Sequence, residues 1–171
     1  MASNPDISAG DHKAYMEYAL SLATKSPPAP TNYRVGAVLV DRTCNAVVST
    51  GYTLERPGNT HAEQCCFLKA AEARSVSEEQ LAAAVDGMEL ILYTTMEPCS
   101  RRLSGNLPCV ERILGLKKAI KTVYVGVMEP EIFVRENSGR KALVGAGIEF
   151  VHVEGLEDEI LKVAKAGHEK G

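Results

Sequence analysis

At 171 residues the chain has the length of one compact domain with a single core. Its 45% hydrophobic and 24% charged residues are ordinary for a globular protein, and a net charge of −3 argues against a protein that works on nucleic-acid phosphates. No apolar run approaches the roughly 20 residues of a membrane-spanning helix, and the opening MASNPDISAG lacks the basic and apolar regions of a secretory signal.

The expected setting is therefore cytoplasmic, with neither nucleic acid nor a membrane as partner. The five cysteines are an odd number and cannot all pair, and a reducing compartment keeps thiols free. Clustered Cys and His then point to metal or catalysis before disulfides.

Residues 1–10 are expected to be flexible, and a single domain to occupy 11–167. Tyr15, Tyr18, Ala19 and Leu22 recur at helical spacing over 11–25, with Asp11 as the cap. The prolines at 27, 28 and 30 end that helix. Two apolar runs, 34–40 and 46–52, flank a polar turn and predict a hairpin. A loop at Pro57-Gly58-Asn59 leads into a helix over 60–74, with Cys65, Leu68 and Ala71 or Glu72 along one side. A short helical turn follows through Ala84. A third strand is expected at 89–95, a helix opening near Pro108, a strand at 122–127, a helix at 133–144, a strand at 148–151 and a last helix at 156–166. After the hairpin, strands and helices alternate. That order predicts an α/β fold, a three-layer α/β/α sandwich around a five-stranded mixed sheet.

One constellation carries chemistry: His61-Ala62-Glu63, followed by Pro98-Cys99 and Pro108-Cys109. The triplet alone says little. With four histidines, chance gives on the order of 0.4 His-x-Glu triplets, and a second one does occur at His152-Val153-Glu154. That second triplet reads as a strand edge, since no cysteine follows it and it opens no helix. The first sits where a loop turns into a helix and is followed by two Pro-Cys pairs. His nitrogen and Cys sulfur are zinc donors, and three protein ligands leave one tetrahedral position open to water, the catalytic arrangement. Cysteine binds as thiolate, and a helix start lowers its pKa. Glu63, two residues from His61, would not face it on a regular helix, so His61 is expected at the very start of the helix. Glu63 is then the proton shuttle, taking a proton from water, passing it to a ring nitrogen and protonating the leaving amine. Cys44, Cys65 and Cys66 read as small buried hydrophobes. A purely structural zinc site would recruit Cys65 or Cys66 as a fourth ligand.

The stretch from Pro57 to Cys65 resembles the cytidine-deaminase-like superfamily. The longer stretch Thr94-Thr95-Met96-Glu97-Pro98-Cys99-Ser100-Arg101-Arg102-Leu103-Ser104-Gly105-Asn106-Leu107-Pro108-Cys109-Val110, with Gly126-Val127-Met128-Glu129-Pro130, is similar to the deaminases of fungal riboflavin biosynthesis. Nine residues separate the two cysteines, where the superfamily at large usually has two. The resemblance implies one zinc per chain on His61, Cys99 and Cys109, with Glu63 catalytic. It also implies hydrolysis of 2,5-diamino-6-ribitylamino-4(3H)-pyrimidinone 5′-phosphate to 5-amino-6-ribitylaminouracil 5′-phosphate and ammonia, and a homodimer. A pseudouridine-synthase-like domain, found in some fungal relatives, is not expected within these 171 residues.

For a phosphorylated substrate, Arg101, Arg102, Ser104 and Asn106 offer a charged, donor-rich loop beside the metal. Asn32, Asn59 and Glu129 are candidates for the ribityl hydroxyls. Two other readings stand beside this one. A tRNA adenosine or free-base deaminase of the same superfamily would share the zinc chemistry. A non-catalytic, zinc-stabilised binding protein would have no use for Glu63.

Overall fold

The computed structural model describes residues 3–100, 102, 106–128 and 138–168. Among them, five strands form one sheet in the order β2-β1-β3-β4-β5. They are β1 (Gly36–Asp41), β2 (Ala46–Tyr52), β3 (Leu90–Met96), β4 (Ile120–Val127) and β5 (Glu149–His152). β1 runs antiparallel to both β2 and β3, while β3, β4 and β5 are parallel, so the sheet is mixed as expected. The tight turn of the β1–β2 hairpin is made by Asp41, whose side chain accepts from the Thr43 backbone N–H at 2.9 Å, and by Asn45 at a left-handed φ of 52°.

Alternation along the strands decides the layers. Ala37, Leu39, Leu90, Leu92, Val123 and Val125 face one side and pack against α2 (Ala62–Ala73), α3 (Leu81–Ala84), α4 (Cys109–Leu114) and α5 (Ser138–Gly145). Val38, Val40, Ile91 and Tyr93 face the other side and meet α1 (His12–Ala23) and α6 (Glu157–Ala164). Both faces are covered, which is why the central strands read as unbroken apolar runs rather than alternating ones.

Two glycines let helices lie directly on the sheet. A Cβ at Gly36 would stand 1.8 Å from the Ala19 carbonyl oxygen of α1. One at Gly51 would stand 2.2 Å from the Ala62 oxygen and 2.6 Å from the Cys66 nitrogen of α2. The Ser49 hydroxyl reinforces the second contact by donating to the Cys66 carbonyl at 2.8 Å.

Two expectations need correction. Cys44 is exposed, not buried, because it sits in the hairpin turn. On α2, Cys65 and Ala71 are buried as expected, but Leu68 is half-buried and Glu72 exposed, and Ala62, Cys66, Phe67 and Ala70 join Ala71 in the core face. The helix lies between the sheet and the α3 turn and so buries a wider arc than one stripe. In the N-terminal segment, Asn4 Oδ1 accepts from the Tyr18 hydroxyl at 2.8 Å, and the Ile7 carbonyl accepts from Asn45 Nδ2 at 2.8 Å. The helix expected over 133–144 is described from Ser138; 133–137 lie outside the described residues. His152 closes edge strand β5, in line with the reading of the second His-x-Glu triplet.

Candidate metal and catalytic site

The loop that follows β2 is tied down before it reaches the site. The Leu54 N–H donates to the Thr60 carbonyl at 2.8 Å, and the Thr60 hydroxyl donates to the Arg56 carbonyl at 2.8 Å. Gly58 takes a left-handed φ of 90° in the turn between them. His61 then caps α2 with an extended backbone (φ −94°, ψ 161°), its N–H donating to Gln64 Oε1 at 3.3 Å. Because His61 stands just outside the regular helix, the two-residue step to Glu63 does not throw the side chains apart. Both line the same cleft.

β3 delivers the next parts. Thr94 faces α2, and its hydroxyl lies 2.8 Å from Glu63 Oε1 and 3.1 Å from the Met96 carbonyl oxygen. Beyond the strand end, Glu97-Pro98-Cys99 turns the chain toward α4. The Val110 N–H donates to the Cys99 carbonyl at 3.1 Å, and the Cys109 N–H to Cys99 Sγ at 3.3 Å. The start of α4 therefore faces the Cys99 sulfur, while Cys109 is the first residue of that helix.

His61 Nδ1 lies 3.5 Å from Cys99 Sγ and 3.6 Å from Cys109 Sγ, and the three donor atoms all fall within 4.8 Å of one another. A tetrahedral zinc ion with ordinary Zn–N and Zn–S bonds has N–S edges of about 3.6 Å. The donor set thus fits zinc in element type, number and spacing. Among the described residues it is the one His/Cys/Asp/Glu group of this kind, and neither Cys65 nor Cys66 belongs to it. Both are buried in the core, and burial pushes the Cys66 thiol up to about 12.

The protonation of the site follows from its packing. Cys99 is held well below the usual thiol range, first because the Cys109 thiol donates to it and then because of His61 beside it. Cys109, the donor of that pair and buried, is pushed up. Glu63 is 4% exposed, and desolvation lifts its carboxyl above the ordinary value. A buried carboxyl with a raised pKa beside a cluster of possible metal donors has the properties of a group that takes up and returns protons.

The cleft has a volume of about 800 Å³. Asn32 and Asn59 line it and are joined by a 2.9 Å bond from Asn32 Nδ2 to Asn59 Oδ1. Arg102 does not line it. Its guanidinium donates to Gln64 Oε1 at 3.0 Å and to the Asn59 and Leu107 carbonyls, clamping the intercysteine loop to the start of α2. Nor does Asn106 appear among the lining residues. Arg101, Ser104 and Glu129 lie outside the described residues.

Several participants escaped sequence reasoning. Thr94 carried one signal, a hydroxyl inside an apolar strand on the α2-facing register. Glu97 lines the cleft and is held by Arg140 of α5, whose Nε and Nη2 lie 2.9 and 2.6 Å from Oε1. Tyr33, Leu161 and Lys165 come from segments that only the tertiary fold brings together.

The profile of the cytidine and deoxycytidylate deaminase zinc-binding region matches residues 9–127. The diaminohydroxyphosphoribosylamino-pyrimidine deaminase of Schizosaccharomyces pombe is 40% identical over 159 residues, covering 92% of this chain and 36% of the relative, so the chain spans about a third of that protein's length. Among solved structures, Aspergillus oryzae Rib2 deaminase, a C-terminal deletion mutant in complex with DARIPP, is 48% identical. It superposes with a TM-score of 0.83 over 92% of each chain. A bifunctional diaminohydroxyphosphoribosylaminopyrimidine deaminase and 5-amino-6-(5-phosphoribosylamino)uracil reductase of Thermotoga maritima is 28% identical, with a TM-score of 0.68 over 90% of this chain and 39% of that one.

Proposed function

The chain belongs to the cytidine and deoxycytidylate deaminase zinc-binding family, and from that premise we propose that it hydrolyses 2,5-diamino-6-ribitylamino-4(3H)-pyrimidinone 5′-phosphate to the ribitylaminouracil phosphate and ammonia, as a step of riboflavin biosynthesis. The observation that carries this reading is the buried Glu63 carboxyl, fixed by Thr94, beside the His61–Cys99–Cys109 triad in a single cleft. The likeness to the two pyrimidine deaminases supports the substrate class. One zinc per chain and a homodimer in the cytoplasm complete the proposal.

His61, Cys99 and Cys109 would hold the zinc, which when bound supplies Lewis-acid activation of water at neutral pH. The chain's own residues manage protons. Glu63 accepts one proton from the attacking water at its carboxylate and gives it to the ring nitrogen; it then takes the remaining proton from the oxygen added at C2 and delivers it to the departing amine. Water oxygen bonds to ring C2, the C2–N bond breaks, and the amine leaves as ammonia. Thr94 serves both states of Glu63. Its single hydroxyl proton points to Oε1 when the carboxylate is charged; when the carboxyl carries a proton, the hydroxyl can accept from it and turn its own proton to the Met96 carbonyl. Arg140 holds Glu97 at the cleft wall, and the Asn32–Asn59 pair offers amide groups to the ribityl hydroxyls.

The test is turnover of the ribityl-phosphate diaminopyrimidinone by zinc-loaded protein, run beside cytidine, guanine and tRNA. Conversion of the first alone, abolished by a chelator and restored by zinc, is expected. Preference for another base would keep the metal chemistry and refute the pathway. Bound zinc with no turnover of any substrate would favour a binding protein. Light scattering at micromolar concentration checks the dimer; a monomer mass would refute it.

A further inference from the structure

The phosphate of the proposed substrate needs a cation, and Arg102, the arginine the sequence offered for it that the structure describes, is committed to Gln64, Asn59 and Leu107. Among the described residues lining the cleft, the other charged groups are acids: Glu63, bonded to Thr94, and Glu97, paired with Arg140. Lys165, which follows α6, is the one Lys or Arg in that lining. Among the described residues no ion pair engages it. We propose that Lys165 binds the 5′-phosphate of the substrate and makes the enzyme selective for the phosphorylated ribityl chain; this rests on the function proposed above.

Lys165 lies beyond the end of a helix, where a side chain is usually poorly fixed. Here the segment around it is clasped to the loop that carries Asn32 and Tyr33. The Arg34 N–H donates to the Ala164 carbonyl at 3.0 Å, and His168 Nε2 lies 2.8 Å from the Asn32 carbonyl oxygen. The His168 ring meets Tyr33 edge-on at 5.0 Å. Gly167, at a φ of 92°, fits where a Cβ would stand 2.7 Å from the Ala29 nitrogen. These four contacts set Lys165 on the cleft wall contributed by α6. The amino group to be removed must lie at the His61–Glu63 end of the cleft. The ribityl chain then has the rest of the cleft to extend along, and the exposed, flexible ammonium of Lys165 on that wall suits the phosphate that ends it.

A lysine that merely complements the dipole at the end of α6 would affect stability and not ligand choice. The experiment therefore compares ligands. Zinc-loaded wild type, Lys165→Met and Lys165→Arg are titrated calorimetrically with 5-amino-6-ribitylaminouracil 5′-phosphate and with its dephosphorylated form. Lys165→Met should weaken the phosphorylated ligand about three- to tenfold, leave the dephosphorylated one unchanged, and lose the salt dependence of the wild type. Lys165→Arg should keep most of the preference. Equal weakening of both ligands, or of neither, would overturn the assignment. Binding reads Lys165 without turnover. A wild type that binds the phosphorylated ligand through Lys165 yet deaminates no ribitylaminopyrimidine would count against the reaction and not against the phosphate site.

Discussion

At the metal end of the cleft, Glu63 is 4% exposed and every donor is held by a side-chain bond or a helix start; at the C-terminal end, Tyr33 is 48% exposed and the wall is held by contacts between residues 28–34 and 164–168. The first end is assembled from two short sequence motifs and one strand. The second joins stretches at least 130 positions apart in the chain. The contrast separates two tasks. Proton transfer needs groups fixed within a fraction of an ångström, and burial provides that. Recognition of the long polar chain of the proposed substrate tolerates a wetter, looser wall.

If that division is right, substitutions at the metal end act on kcat and those at the far end on KM. The largest effect is expected for Glu63→Gln, which keeps the shape but cannot carry a proton; kcat should fall by about 10²- to 10⁴-fold with zinc content by atomic spectroscopy unchanged. Loss of the metal along with activity would mean that Glu63 shapes the site instead. Thr94→Val comes next. It removes the hydroxyl beside Glu63 at nearly constant volume, and kcat should drop about tenfold, the cost of a missing bond to a buried charged group, with KM little changed. Thr94→Ser should recover most of it. The smallest effect is expected for His168→Ala, which cuts the tie to Asn32: a rise of about two- to threefold in KM at constant kcat. A comparable fall of kcat there would break the division.

The sequence alone carried the metal end well. A His-x-Glu at a loop-to-helix junction and two Pro-Cys pairs lie within local stretches, and the chemistry of the donors restricts what they can do. The layering was also legible, because apolar runs and their alternation report which faces are covered. The far end was not. Lys165 and Tyr33 look like any surface lysine and tyrosine until α6 brings them to the cleft. Arg102 shows the limit from the other direction: its position near the two cysteines suggested phosphate, and nothing in the sequence announces the three protein acceptors that hold it. Cys44 was misplaced because burial was inferred from residue type, while a hairpin turn exposes whatever it contains.

The contact between Gly51 and the start of α2 sets the datum from which the active site is measured. No side chain separates strand from helix there, so the first turn takes its height directly from the β2 backbone. His61 and Glu63 ride together on that turn, whereas Thr94, Cys99 and Cys109 belong to β3 and α4. A bulkier residue at 51 would lift the first pair as one body and leave the other three behind. The internal geometry of the pair would survive, but its alignment with the two sulfurs would not. Metal affinity would fail before proton chemistry, and a redesign of the substrate range that respected every lining residue would still be undone by a methyl group on the far side of the helix.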